Sequence, residues 1–446
     1  MTTIVDRNGA GYDATREVWN ARFDRRPAEI VRVEEPADVA FALRRASERG
    51  LDVCVKSGGH DYAGNSSTDG GLLIDLGQLR SIVVDPERRR AVVGPGATWA
   101  EVDAVTQEHG LATPGGTVSS VGVAGFTLGG GEGWLSRKHG CACDNLMAVE
   151  VVTASGDTVR VSEEENPDLL WGLRGGGGNF GVVTSLELAL HPLDHDILSG
   201  QIIYPFDRAA DLLVAYRDYF AGAPDEASCY PFVYRVPPLD VFPEEWHGDL
   251  VLAFVFAYMG PPADAEREAD AFRGHDGMLL DGLERQSYVS LQTAFDAAMG
   301  KGSRWYTRAH YFDALTDGAI DALVANIEPL PGELTTVYFG PAGGAMGRRP
   351  VDATAYPHRT ATHALHVFPG WTDASDDAEV MAWTRQVSDA VAPHANGGVY
   401  VNLLADDEVD RVPAAYGANL DRLTRLKAKW DPDNVFRTNH NIPPRP

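Results

Sequence analysis

The stretch Val55-Lys56-Ser57-Gly58-Gly59-His60-Asp61-Tyr62-Ala63-Gly64-Asn65-Ser66 carries more information than any other in this chain. A β-branched lead-in, Val53-Cys54-Val55, runs into a loop with three glycines and one central histidine. Glycine lets a backbone approach a ligand closely and adopt positive φ. Successive exposed N–H groups in such a turn form an anion-binding nest suited to a pyrophosphate. A histidine held there is placed as a nucleophile beside a phosphate-bearing cofactor. A lone histidine in a turn is otherwise a packing or surface residue, so the rest of the chain must decide between the two.

Length and composition narrow the field. At 446 residues the chain is too long for one ordinary core, and two domains are expected. With 44% hydrophobic and 23% charged residues it reads as a soluble globular protein. It has no apolar run of about 18 residues or more, so no transmembrane helix is expected. Met1-Thr2-Thr3-Ile4-Val5-Asp6-Arg7 lacks a basic-then-apolar leader, which points to a cytoplasmic protein. The formal charge is −26, from 64 acidic and 38 basic residues, which argues against nucleic acid and anionic membranes as partners. Lysine occurs only as Lys56, Lys138, Lys301, Lys427 and Lys429; a high-salt cytoplasm or a GC-rich genome would each give that balance. Cys54, Cys141, Cys143 and Cys229 are too few for a disulfide framework, and no cluster at metal-ligand spacing surrounds them, so no metal is expected.

Short apolar strands alternate with helical patterns up to about residue 195. Asp38 to Glu48 reads as a helix with Asp38 as N-cap and Val39, Ala42, Leu43 and Ala46 on one face. Gly50 stops it, and Leu51 to Val55 follows as a strand. Leu72 to Leu76 and Arg90 to Val93 read as strands, and Trp99 to His109 as a helix. Ala148 to Thr153 and Asp157 to Val161 form a hairpin about Ser155-Gly156, and Val182 to Leu190 is a further strand. Beyond Pro192, Leu250 to Tyr258, Val337 to Phe339 and Ala361 to Phe368 read as strands. Asp264 to Phe272 and Asp317 to Ile327 are amphipathic. This mixture suggests an antiparallel sheet with helices on one face, an α+β layer.

Two phosphate motifs fail. Neither Gly129-Gly130-Gly131 nor Gly175 to Gly178 continues into Gly-Lys-Ser/Thr, so there is no P-loop. Ile30 to Ala46 has no glycine, so the dinucleotide fingerprint is missing from the first strand-to-helix turn. The loops around 58, 115 to 131 and 175 to 181 instead suggest several backbone walls around one flat ligand.

The order of further motifs extends the pattern over nearly the whole chain. They are Trp19-Asn20, Arg26-Pro27-Ala28-Glu29-Ile30-Val31, Asp75-Leu76 and Val93-Gly94-Pro95-Gly96-Ala97. Then come Pro114 to Gly125, Gly129 to Gly131, Ser136-Arg137-Lys138-His139-Gly140, Asp144-Asn145 and Trp171 to Gly178. Tyr400-Val401-Asn402, Tyr416-Gly417 and Lys427 to Ile442 close the series. This set resembles the vanillyl-alcohol oxidase / p-cresol methylhydroxylase superfamily, in the branch of berberine bridge enzyme-like and 6-hydroxynicotine oxidase-type proteins.

The resemblance implies an α+β fold of the two-domain vanillyl-alcohol oxidase type. An FAD-binding domain would span 1–195 and a substrate-binding domain with an antiparallel sheet and helices 196–397. A C-terminal segment, 398–446, would return to the FAD domain. In that branch the histidine matching His60 is bonded to the flavin 8α carbon. Carried over by position, FAD would also meet Ser57, Gly58, Gly59, Asp61, Gly64, Asn65, Gly116, Thr117, Ser119, Ser120, Gly122, Val123, Gly125, Gly130, Gly131, Gly181, Val183, Tyr400, Asn402, Asn439 and Asn441. Doubly linked members carry a cysteine where this chain has Val118, so a single covalent link at His60 is expected.

Where relatives use a tyrosine base ending Tyr-x-Asn-Tyr, this chain reads Tyr400-Val401-Asn402-Leu403. Leucine cannot titrate, so the base is sought at Tyr311, His363 and His366, the last two flanking Leu365. Lys138 and His139 are candidates for stabilising charge on a reduced ring. The expected activity is an FAD-dependent oxidase that takes a hydride from a C–O or C–N carbon of an amine, sugar or alcohol and reduces dioxygen to hydrogen peroxide. The alternatives are a dehydrogenase with another acceptor, or a flavin-holding protein without efficient turnover. Partners would be the small substrate and dioxygen, in a monomer or homodimer.

Overall fold

A computed structural model describes residues 2–445. The strand Val53–Lys56, which feeds the glycine loop, is an edge of a four-stranded sheet. Leu72–Asp75 and Glu29–Arg32 follow it in parallel, and Thr3–Asp6 closes the other edge antiparallel. Parallel strands of one sheet need a crossover, and the helix Pro36–Arg49 supplies the one from Glu29–Arg32 to Val53–Lys56. Val39, Ala42, Leu43 and Ala46 bury on the sheet as their spacing predicts. The helix start departs from expectation. Glu35 is the N-cap and Asp38 sits at N3, closing a capping box, because Pro36 is preset for the first helical position. Gly50 ends the helix at φ 63°.

A second sheet has five antiparallel strands in the order Ile82–Asp85, Arg90–Val93, Val182–Ala189, Leu146–Val152, Thr158–Val161. The hairpin about Ser155-Gly156 forms, with Val152 opposite Thr158. Ile82–Asp85 was not anticipated: it is a half-exposed edge strand without a clean alternation of burial.

The largest sheet has eight strands, all antiparallel. Its main path runs Leu280–Asp281, Ile197–Pro205, Leu250–Tyr258, Ala227–Arg235, Thr336–Pro341, His363–Phe368, Arg308–Phe312. The helices Ala209–Phe220, Ala265–Arg273, Asp317–Asn326 and Asp377–Val391 cover one face. Their Leu212, Phe272, Ile320 and Val387 share a core with Phe254, Val337 and Leu365. Two of these helices match the amphipathic stretches read from sequence; Ala209–Phe220 and Asp377–Val391 were not anticipated. The other face presents Tyr311, Ala364 and Phe368 to the cluster around Trp19 and Trp99 in the first half of the chain.

The C-terminal segment returns to that half. Lys427, on the helix Leu420–Trp430, is fully buried. Its Nζ donates to the carbonyls of Asn179 (2.7 Å) and Phe436 (2.9 Å) and to Asp431 (2.6 Å). A buried ammonium needs such complete pairing. Ile442 N donates to Asn179 Oδ1 at 2.9 Å, fixing the tail against the loop at 175 to 181.

Candidate functional site

A cavity of about 330 Å³ lies among the glycine loops, the uncovered face of the large sheet and the C-terminal segment. Its first wall is mostly backbone. A Cβ on Gly58 would stand 2.5 Å from Gly122 N, and one on Gly122 would stand 2.6 Å from Gly58 N, so the two loops meet main chain to main chain. A Cβ on Gly125 would meet nothing within 4 Å, because that face opens on the cavity. The N–H groups of Gly58, Gly59, His60, Asp61, Gly116 and Thr117 find no acceptor among the described residues. Backbone donors inside a fold are nearly always paired, and a run of free ones fits a diphosphate ligand.

Of the expected cofactor contacts, Ser57, Gly58, Gly59, His60, Asp61, Asn65, Gly116, Thr117, Gly122, Gly125, Gly181, Val183, Tyr400, Asn402 and Asn439 line this cavity. The others support it from behind. Gly64 packs on Phe23, and Val123 is core. Ser119 Oγ donates to Asp296 at 2.6 Å. Gly130 lies under Tyr356 and Tyr400, and Gly131 N donates to the Tyr400 hydroxyl at 2.8 Å. Asn441 is not on the wall; its Oδ1, like that of Asn439, is buried without a protein partner.

His60 stacks on Trp19 at 4.8 Å, and Trp19 stacks on Trp305 at 5.0 Å. Its Nε2 lies 3.1 Å from Ser120 Oγ, leaving Nδ1 as the other ring nitrogen. Burial, assisted by the charge of Lys301, pushes the imidazole down to about 4. It is therefore neutral at neutral pH and keeps the lone pair a nucleophile needs. Val118 lines the same cavity, and none of the four buried cysteines does. Free donors, a neutral histidine and an open glycine face together fit FAD.

The second wall is made of side chains, and strand alternation decides which ones. His363 and His366 are three apart on one strand, so they point to opposite faces. His366 reaches the cavity and stacks on Tyr338 at 4.7 Å. His363 turns into the helix layer, its ring 5.3 Å from Tyr216 and its Nδ1 2.9 Å from Thr362 Oγ1. The expectation that both flank one site is corrected accordingly. Burial pushes each imidazole down to about 3. Leu403 lines the wall as an apolar group. Lys138 and His139 do not line it: Lys138 Nζ donates to the Met259 carbonyl at 2.7 Å, and His139 stacks on His191 at 3.8 Å.

Tyr311 is also off the wall, behind a residue that sequence reading passed over. Glu132 lines the cavity, and its Oε1 accepts hydrogen bonds from Tyr311 and, at 2.7 Å, from Tyr356. The available signal was a single carboxylate inside Gly129-Gly130-Gly131-Glu132-Gly133. Tyr400 completes the seam. Its hydroxyl accepts from Gly131 N and, at 2.9 Å, from Asn402 Nδ2, which also donates to the Phe126 carbonyl at 3.0 Å.

Comparison with known proteins assigns the two stretches that build the first wall and the tail. A family model described as an FAD binding domain matches residues 27–162, and one described as berberine and berberine like matches 399–443. These matches make the chain similar to the berberine bridge enzyme-like FAD-linked oxidoreductases. Relatives matched over nearly the full length include (R)-6-hydroxynicotine oxidase of Paenarthrobacter nicotinovorans, 29% identical over 460 residues, covering 99% of this chain and 96% of that protein. Xylooligosaccharide oxidase of Thermothelomyces thermophilus is 28% identical over 460 residues, covering 97% and 90%. The crystal structure of 6-hydroxy-D-nicotine oxidase from Arthrobacter nicotinovorans matches with a TM-score of 0.88 at 28% identity, covering 100% of this chain and 98% of that one. The protein is thus an FAD-linked oxidoreductase with the α+β fold of the vanillyl-alcohol oxidase superfamily.

Proposed function

We propose that the protein is an oxidase of small molecules that holds one FAD covalently through His60. The observation that carries this reading is the run of unpaired N–H groups around a neutral His60, on a cavity whose opposite wall is aromatic. When bound, FAD supplies the acceptor for a hydride from a C–O or C–N carbon and passes the electrons to dioxygen, giving hydrogen peroxide.

The chain's own residues do the rest. Gly58, Gly59, His60 and Asp61 would hold the pyrophosphate through their free N–H groups. Ser120 holds the His60 ring through Nε2, which leaves Nδ1 as the nitrogen that would hold FAD. Val118 offers no second attachment. Tyr230, Tyr338 and His366 shape a dry pocket for the carbon to be oxidised. Of the three candidate proton acceptors read from sequence, His366 is the one on the wall, and Tyr311 acts through Glu132. The similarity to a 6-hydroxynicotine oxidase and to a xylooligosaccharide oxidase supports a substrate that is an amine, a sugar or an alcohol.

The test is anaerobic exposure of the holoprotein to amines, sugars and phenolic alcohols, followed by oxygen. Bleaching of the flavin and one peroxide per substrate support the oxidase. Bleaching without peroxide points to a dehydrogenase, and no bleaching by any candidate leaves a flavin-holding protein.

A further inference from the structure

Glu132 has no task in the reaction as described, yet its surroundings are built for one. Tyr311 reaches it from the strand Arg308–Phe312 and Tyr356 from the loop before the strand His363–Phe368, and their hydroxyls lie 3.0 Å apart. Both phenols bind the same oxygen, Oε1. The other, Oε2, has no protein partner among the described residues and is not among the sealed, unpaired atoms, so it opens on the cavity.

Charge around the cavity has one sign. Among the described residues no lysine or arginine lines it, whereas Glu132 and Asp61 do. The histidines on the wall, His60, His366 and His440, are all pushed down by burial and are neutral. Arg359, the cation whose charge acts on Glu132, is occupied by a two-pronged pair with Asp144 at 2.8 Å. A substrate carboxylate or phosphate would meet no counter-charge here. A carboxylate in a dry pocket is costly without a cation, and a cationic substrate supplies one.

We propose that Glu132 receives an amine substrate: Oε2 binds the ammonium nitrogen and takes one N–H proton from it. The N–H bond breaks, an O–H bond forms on Glu132, and the ion pair becomes a neutral amine beside a neutral carboxylic acid. The freed nitrogen lone pair is what oxidation of the adjacent carbon requires, and in this respect the inference rests on the proposed function. Tyr311 and Tyr356 are positioning residues that pin Oε1 and so present Oε2. Burial raises the Glu132 carboxyl above the usual range, and the two phenol hydrogen bonds oppose that rise. The titratable and charged groups that face it are Tyr311, Tyr356, Tyr400, Tyr338, Tyr230 and Arg359.

The experiment is calorimetric titration of the anaerobic holoprotein with benzylamine, with benzyltrimethylammonium, which has no N–H, and with neutral benzyl alcohol. The parent is expected to bind a cation, and Glu132→Gln to bind it about 10-fold more weakly or worse. Benzyl alcohol should bind both alike. Cation affinity of the parent should fall as pH falls and Glu132 takes a proton, with no such fall in Glu132→Gln. Tyr311→Phe, which removes a donor that stabilises the carboxylate, should move that midpoint to higher pH. Equal cation affinity in parent and Glu132→Gln, or a parent that binds neither cation, overturns the proposal. Flavin content and peroxide yield on the same preparations separate the two claims. A parent that oxidises alcohols but binds no cation ends this inference alone, and one that binds cations through Glu132 but never bleaches ends the proposed oxidase alone.

Discussion

The two walls of the cavity are made of different material. Around His60 the wall is backbone, with Gly58 and Gly122 in main-chain contact and a row of unpaired N–H groups. Across the cavity it is side chains: Tyr230, Tyr338 and His366 on the sheet, with Glu132 at the seam. Main-chain donors stay in place when neighbouring side chains are exchanged, so the first wall suits a ligand that never varies. A ring or a carboxylate is changed by one substitution, so in the proposed oxidase the second wall is the one that sets what is oxidised. The C-terminal segment joins the two, with Asn402 and Asn439 on the cavity and Lys427 buried beneath Asn179.

That join is where the comparison breaks most easily. Lys427→Met leaves Asp431 and two carbonyls buried without their cation, and is expected to cost about 3–5 kcal/mol in thermal or denaturant unfolding. It should lower flavin retention as well. An unchanged unfolding midpoint would mean that the tail does not hold the first wall in shape.

On the second wall, Glu132→Gln should slow anaerobic flavin reduction by an amine by about 10²–10⁴-fold, the range for a lost proton acceptor. His363→Ala, on the far face of the same strand, should leave that rate at the parental value. Equal slowing by both variants would refute the assignment of faces. On the first wall, Gly58→Ala forces a methyl group against Gly122 N and should cost about 1–3 kcal/mol, with loss of flavin loading. Gly125→Ala places its methyl in open space and should be tolerated by the apoprotein, so its effect should appear only as weaker flavin loading.

The smallest effect lies outside the cavity. Asp103 and Gln292 are buried together, with Gln292 Nε2 2.8 Å from Asp103 Oδ2. Burial pushes Asp103 up to about 7, and the hydrogen bond from Gln292 offsets only part of this. Asp103 Oδ1 and Gln292 Oε1 both lack partners among the described residues, which a proton on Asp103 would supply. Because the folded state binds this proton more tightly, stability falls as pH rises from the usual carboxylate range to about 7. Asp103→Asn should therefore raise the melting temperature at pH 8 and change it little at pH 4. A larger gain at pH 4 would reverse the assignment.

Much of the first wall was legible because its signals are local. Three glycines around His60, a β-branched strand before them and a glycine stop after a helix are each read within a dozen residues. Leu250–Tyr258 was legible for the same reason, as one continuous apolar run. The helix start was misjudged because Asp38 is a good cap type, although Pro36 marked the first turn. The spacing of His363 and His366 already held the answer, since residues three apart on a strand cannot share a face. Glu132 was harder. Its glycine neighbours suggested a loop that acts only through its backbone, and Tyr356, which holds it, lies 224 residues away. Contacts that distant leave no periodic trace in a single sequence, which is why the side-chain wall was less legible than the backbone wall.

The central claim, that the backbone wall holds one FAD through His60, is tested most directly on the denatured protein. Acid-denatured holoprotein is filtered and digested, and the peptide containing His60 is examined by mass spectrometry. One flavin on that peptide, a colourless filtrate, and free flavin released from His60→Ala are the results predicted. An unmodified His60 peptide with all the yellow colour in the filtrate would contradict it.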